Sequence, residues 1–136
     1  MLVVDASAVA ELLLGRPAAA QIGRHVTSHR HELHAPELLY LEVLSVLRRL
    51  VTAGDATADR AGEAVADLLD LPIERYGHEM LVPRIWELRD NFSAYDAAYL
   101  ALAESLAEGG APLLTSDRRF GRAVEAHAGI DLILVA

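Results

Sequence analysis

The chain has 136 residues, enough for one domain with a single core, and 53% of them are hydrophobic. Its formal charge of −8 and pI near 5.1 argue, at face value, against a protein that grips nucleic acid through an overall basic surface. Cysteine is absent and all 12 basic residues are arginine, which excludes disulfides, thiolate nucleophiles, Cys-based zinc or iron–sulfur centres and any lysine-dependent phosphate loop or Schiff base.

The chain opens with the apolar run "MLVV" (1–4), followed by "DASAVAELLL" with Ser7 placed to cap a helix, so the first elements read as buried strand, turn and helix. Asp5 therefore stands at the carboxyl end of the first strand. "RPAAAQIGRHVTSH" predicts a second helix with Pro17 near its first turn, and "ELHAP" a short strand closed by Pro36. "PELLYLEVLSVLRRLVTAG" predicts the clearest helix, started by Pro36 and stopped by Gly54. Its apolar stripe is Leu39, Val43, Val46, Leu47, Leu50 and Val51, with Glu42 beside Val46 at the border.

"TADRAGEAVADLLDLP" gives another amphipathic helix ended by Pro72, and "PIERY" a weak strand. "HEMLVPRIWELRDNF" reads as helical, with Pro83 as a kink or early-turn residue, and "SAYDAAYLALAESLAEGG" as a helix capped by Ser93 and stopped by Gly109 and Gly110. "APLLTSD" is a buried strand with Asp117 at its carboxyl end, "RRFGRAVEAH" a short helix, and "IDLILVA" a last apolar strand. Trp86, Phe92 and Phe120 are expected in the core. With no repeat, linker or low-complexity tract, residues 1–136 are expected to form one domain. No stretch approaches the roughly 18 apolar residues of a membrane span, and Asp5 stands where a signal peptide carries basic residues, so a soluble cytoplasmic protein is expected.

Strands alternate with helices and are apolar throughout, which is the pattern of an α/β fold whose mostly parallel sheet is covered on both faces. Function in such sheets collects at the carboxyl ends of the strands, and that rule pairs Asp5 with Asp117. Each acid also has an ordinary reading. Asp5 and Asp117 can cap the helices that follow them, and Glu42 can be a solvated flank residue near Arg49. Asp96 sits in "SAYD", a Ser-x-x-Asp relative of the capping box, yet shares a helix face with Leu100, Ala103 and Ala107.

Taken together, Asp5, Glu42, Asp96 and Asp117 come from strand ends or from helices that pack on the sheet. Carboxylates gathered in one cleft repel one another and raise each other's pKa, a cost that hard divalent cations remove. With oxygen ligands only, the expected ion is Mg²⁺ or Mn²⁺, which can activate water against a phosphodiester. Arg118, Arg119 and Arg122 beside Asp117 can then supply local phosphate contacts on a globally acidic chain.

"VVDASAVAELLL", "PELLYLEVLSVLRR", "SAYDAAYLALAE" and "LLTSDRRF", in that order over nearly the whole chain, resemble the PIN-domain ribonucleases, specifically the VapC-like toxins of bacterial toxin–antitoxin pairs. The resemblance implies that Asp5, Glu42, Asp96 and Asp117 form the catalytic, metal-holding acids and that Ser7 and Thr115 are supporting polar positions. It also implies a PIN-like three-layer α/β/α sandwich, dependence on Mg²⁺ or Mn²⁺, and endonucleolytic cleavage of RNA. As partners it implies a homodimer and a VapB-like antitoxin that blocks the site in a hetero-oligomer. The segment Thr57–Arg75 carries no chemical motif.

Two rival readings stand beside this one. A phosphatase of the haloacid dehalogenase type would also begin with a strand-end Asp, but needs a second Asp where this chain has Ser7 and commonly a lysine, of which there is none. A catalytically silent PIN-like module would bind RNA or protein without cutting. His25, His29, His31 and His34 cluster in "RHVTSHRHELH", and His25 with His29 has the spacing of a helical metal pair. The reading preferred for them is a helix end and loop on the surface, since "HELH" lacks the His-Glu-x-x-His spacing.

Overall fold

In the computed structural model, which describes residues 1–136, the strands β1 (Leu2–Val4), β2 (Leu33–Pro36), β3 (Ile73–Tyr76), β4 (Leu113–Thr115) and β5 (Leu132–Leu134) form one sheet. Their order is β3-β2-β1-β4-β5 and every pairing is parallel. Val3 lies opposite both His34 and Leu113, so β1 is the central strand. Leu2, Val3, Val4, Leu113 and Leu114 are all at most 2% exposed, as strands covered on both faces must be.

The helices are α1 (Ala6–Leu14), α2 (Ala19–Ser28), α3 (Leu39–Thr52), α4 (Ala58–Asp70), α5 (Val82–Glu87), α6 (Ala94–Leu106) and α7 (Arg118–His127). Helix α1 packs on α2, α3 and α4, α5 packs on α6, and α7 packs on β4 and β5. The chain runs outward from β1 to β3 and then back through β4 to β5, and by the right-handed rule for parallel crossovers α1–α4 cover one face and α5–α7 the other. The result is the three-layer α/β/α sandwich that the strand and helix alternation implies.

Helix α6 buries seven consecutive residues, Ala97 to Ala103. Four are alanines, so the helix has no polar face there and lies close against β1, β2 and β4. Helix α3 buries Leu39, Val43 and Leu47 fully, while Val46, Leu50 and Val51 are half-buried at the edges of the stripe. It ends where Gly54 adopts φ +80°, a left-handed conformation that disfavours any side chain.

Several expectations change. The cap of α1 is Asp5, whose extended backbone lets its side chain accept from the Ala8 amide, and Ser7 lies inside the first turn. "HEMLVPRIWELRDNF" forms a 3₁₀ turn (Glu79–Leu81) and then the six-residue α5, which Pro83 starts rather than kinks. Trp86 is not a core residue: it is 66% exposed, with the Arg89 guanidinium stacked 4.4 Å from its ring, because so short a helix buries none of its residues fully. Phe92 and Phe120 do reach the core, packed edge to face at 6.2 Å. β5 is an edge strand that leaves Leu134 exposed, so its apolar run overstated its burial.

Candidate active site

From β1 the chain turns toward β2, and from β4 it turns toward β5, so the two central strands part at their carboxyl ends and leave a crevice. Asp5 is the residue that follows β1, and Thr115 is the last of β4. Asp5 is 5% exposed and fully engaged. Its Oδ1 accepts from the Ser7 hydroxyl (2.7 Å) and the Ala8 amide (3.0 Å), and its Oδ2 accepts from the Thr115 hydroxyl. Thr115 Oγ1 in turn accepts from the Asp117 amide at 3.0 Å, and Ser7 Oγ accepts from the Ser116 amide at 3.0 Å. This lattice locks the end of β1 to the end of β4 and orients Asp5 before anything binds.

Burial pushes the Asp5 carboxyl up to about 6, with the three donors to it pulling down and nearby Asp117 adding to the rise. Asp117 caps α7 through Oδ1, which accepts from the amides of Arg119 (2.9 Å) and Phe120 (3.1 Å). The capping role therefore uses one oxygen and leaves Oδ2 for the cleft. Asp96 lies in the first turn of α6, where the Ser93 hydroxyl accepts from its amide at 3.2 Å. Burial raises its carboxyl, Asp117 raises it further, and Arg119 opposes both.

Glu42, in the first turn of α3, is likewise raised by burial and by Asp96, against the Tyr99 hydroxyl and Arg49. That hydroxyl is buried and has no partner in hydrogen-bonding geometry, so its pull on Glu42 acts through space. Burial above all, then Glu42, Asp5 and Asp96, push Tyr99 far up and keep its proton in place.

All four acids line one cavity of about 500 Å³, with Ser7, Leu41, Ser45, Arg49, Tyr95 and Tyr99. They form a chain of neighbours, Asp5 to Asp117 to Asp96 to Glu42, rather than a closed cage. No group of three or more His, Cys, Asp or Glu forms a preformed metal cage. The donor chemistry nonetheless suits a hard cation. The donors are all oxygen, three of the carboxyls are raised by burial and repulsion, and a divalent ion would relieve both.

Among the arginines beside Asp117, Arg119 is near enough to Asp96 to lower it, whereas Arg118 and Arg122 are exposed on α7 outside the cavity lining. Tyr95 stands 65% exposed at the rim, and Tyr99 is the aromatic packed in the cavity wall. Sequence reasoning placed Arg49 only as a neighbour of Glu42. Its spacing of seven residues from Glu42, two turns of one helix face, is the signal that puts it in the same cleft. The histidines lie elsewhere: His29 Nδ1 sits 2.8 Å from the His25 carbonyl, His31 is exposed, and buried His34 has Nδ1 2.7 Å from the Tyr76 hydroxyl.

A family model for the PIN domain matches residues 2–126. Ribonuclease VapC12 of Mycobacterium tuberculosis is 34% identical over 98% of this chain and 99% of its own length. Ribonuclease VapC9 of the same organism is 38% identical over 98% of each. Among solved structures, PAE2754 from Pyrobaculum aerophilum aligns with a TM-score of 0.68 at 22% identity, over 97% of this chain and 83% of that one. Mycobacterium tuberculosis VapC20, a sarcin-ricin loop cleaving toxin, aligns with a TM-score of 0.67 at 20% identity, over 90% and 95%. At those identities the structural likeness speaks to the fold alone.

Proposed function

The chain belongs to the PIN-domain family, with homology to its VapC ribonucleases, and from that premise we propose that it is a metal-dependent endoribonuclease, the toxin of a toxin–antitoxin pair. The observation that carries the reading is that Asp5, Glu42, Asp96 and Asp117, from four separate segments, line one crevice where β1 and β4 part. These four residues would hold Mg²⁺ or Mn²⁺. Such an ion supplies charge neutralisation, an activated water and stabilisation of the leaving oxygen of a phosphodiester.

The chain's own groups prepare that site. Ser7, the Ala8 amide and Thr115 hold the Asp5 carboxylate in one orientation, so that no reorganisation is needed when substrate arrives. Tyr99 keeps its proton and presents a donor beside Glu42. Arg119 lies next to Asp96, and Arg118 and Arg122 extend the cationic surface along α7 for further RNA phosphates. Family membership supports a homodimer, a VapB-like antitoxin that covers the crevice in a hetero-oligomer, and action in the cytoplasm. No helix is long and apolar enough to cross a membrane.

The alternative is a catalytically silent module that would use the same crevice to bind RNA or protein without cutting. Cleavage of a mixed cellular RNA pool, with Mn²⁺ or Mg²⁺ against EDTA and with Asp96→Asn alongside, decides between them. Discrete metal-dependent fragments lost in the variant establish the nuclease. A folded chain that binds RNA and neither cuts nor binds Mn²⁺ establishes the silent module.

A further inference from the structure

A second, smaller groove of about 170 Å³ leaves the acid cleft on the α3 side. It shares Ser7, Val46 and Arg49 with the cleft, so the two are continuous, and beyond them it is walled by Glu11, Arg16 and Ser116. Two arginines against one glutamate make this groove net positive, next to a cleft that carries four acids. Arg49 has no ion-pair or hydrogen-bond partner and is the only cation lining the cleft. Arg16 gives its Nε to Glu11 at 3.0 Å, leaving its two terminal nitrogens free. The Ser116 hydroxyl is buried behind the wall and does not open onto the groove.

Resting on the ribonuclease reading, we infer that this groove seats an RNA phosphate next to the one at the acids, with Arg49 as its anchor and Arg16 beside it. The placement follows from the helix. Arg49 stands seven residues after Glu42 on the same face of α3, a rise of about 10 Å, and lines both the cleft and the groove. A strand lying from the acids into the groove would run along α3 toward its C-terminus, and Arg49 would position the substrate without touching the reacting atoms. Being planar, permanently charged and unpaired, Arg49 matches a phosphodiester oxygen pair.

The test measures binding of a short labelled single-stranded RNA of mixed sequence by fluorescence anisotropy over a NaCl series with Mg²⁺. The Asp96→Asn background keeps the RNA whole. Adding Arg49→Gln is expected to weaken binding roughly threefold to tenfold and to lower the slope of log affinity against log salt by about 0.7, the loss of one phosphate contact. Arg49→Lys is expected to keep the slope. Glu11→Gln, which frees Arg16, is expected to tighten binding. Because Arg49 is exposed, thermal unfolding of the variant should match that of its parent.

Unchanged affinity and slope in Arg49→Gln overturn the inference, as does weaker binding in Glu11→Gln or no RNA binding at low salt. A role limited to tuning Glu42 would move the pH profile of cleavage and leave the slope alone, which also overturns it. The two readings fail separately. A chain that cuts RNA while Arg49→Gln binds normally keeps the nuclease and loses the groove. A chain that binds through Arg49 and never cuts keeps the groove and loses the nuclease.

Discussion

Asp5→Asn should stabilise the protein while abolishing its activity. In the folded chain the Asp5 carboxyl sits at about 6 against an ordinary value of 3.8, a gap that corresponds to about 3 kcal/mol of cost for carrying the charge folded at neutral pH. A raised carboxyl pKa means that the folded state takes up its proton first. The contribution to stability is thus fully present below pH 3.8 and is lost as pH rises through about 6. Between pH 7 and pH 5 the wild type should gain about 1.3 kcal/mol from this group, with Glu42 and Asp96 adding in the same direction. An amide keeps the bonds from Ser7 and Ala8 but forces the Thr115 hydroxyl to turn, which offsets about 1 kcal/mol. The net expectation is a gain of about 2 kcal/mol for Asp5→Asn at pH 7, shrinking toward pH 5. Urea unfolding in EDTA at several pH values reads both quantities. A variant less stable than wild type at pH 7, or a wild type whose stability stays flat from pH 7 to 5, would refute the reasoning.

Mn²⁺ should raise the melting temperature of the wild type at pH 7, since an ion bound at a hundred times its Kd contributes about 2.7 kcal/mol, and Asp117→Asn or Glu42→Gln should shrink that shift in a thermal melt with and without EDTA. Thr115→Val leaves Asp5 Oδ2 without its donor, so it should cost about 1–3 kcal/mol in urea unfolding and move the acidic limb of the cleavage profile to higher pH. Gly110→Ala places a Cβ 2.6 Å from Ile130 Cγ2 at a residue with φ +89°, and should lose about 1–3 kcal/mol by the same measurement. Tyr99→Phe removes a buried hydroxyl that has no partner, so unfolding should show stability unchanged or increased by up to about 1 kcal/mol.

The elements were legible where period and punctuation agreed. Helix α3 carries its stripe at Leu39, Val43 and Leu47 and its stop at Gly54, and the strand ends that hold Asp5 and Asp117 follow from short apolar runs. Legibility failed where a local pattern had to compete with position in the sheet. "IDLILVA" is as apolar as a central strand, yet β5 closes the sheet on one side, so Leu134, although it packs on α7 beside Gly121, stays 37% exposed at the edge. Trp86 has the composition of a core residue, but the chain around it makes a single short helix that buries no residue fully, and Arg89 covers the ring instead. Of the candidate site, the four acids could be singled out from strand ends and packed helices, whereas Ser7 and Thr115 as supporting positions came only from the resemblance to the family; the structure places both hydroxyls on Asp5. The spacing of the acids in the cleft depends on how α3 and α6 pack against the sheet, which no linear pattern encodes, whereas Arg49 is signalled by its place seven residues after Glu42 on one face of α3.

The ordinary and the functional readings of these acids turn out to be compatible, and the reason is geometric. A carboxylate has two oxygens, and a helix N-terminus at the carboxyl end of a parallel strand offers amide donors to only one of them. Asp117 gives Oδ1 to the cap of α7 and keeps Oδ2 for the crevice. Asp5 caps α1 through Oδ1 and meets Thr115 through Oδ2. Burial alone would carry Asp5 toward neutrality at physiological pH and make it useless as an anionic ligand. Three donors return it to about 6, where it is mostly ionised at pH 7. The helix cap and the Ser7–Thr115 pair are thus the means by which a carboxylate can be both buried, as the switch point of the sheet requires, and charged, as the proposed metal-dependent site requires.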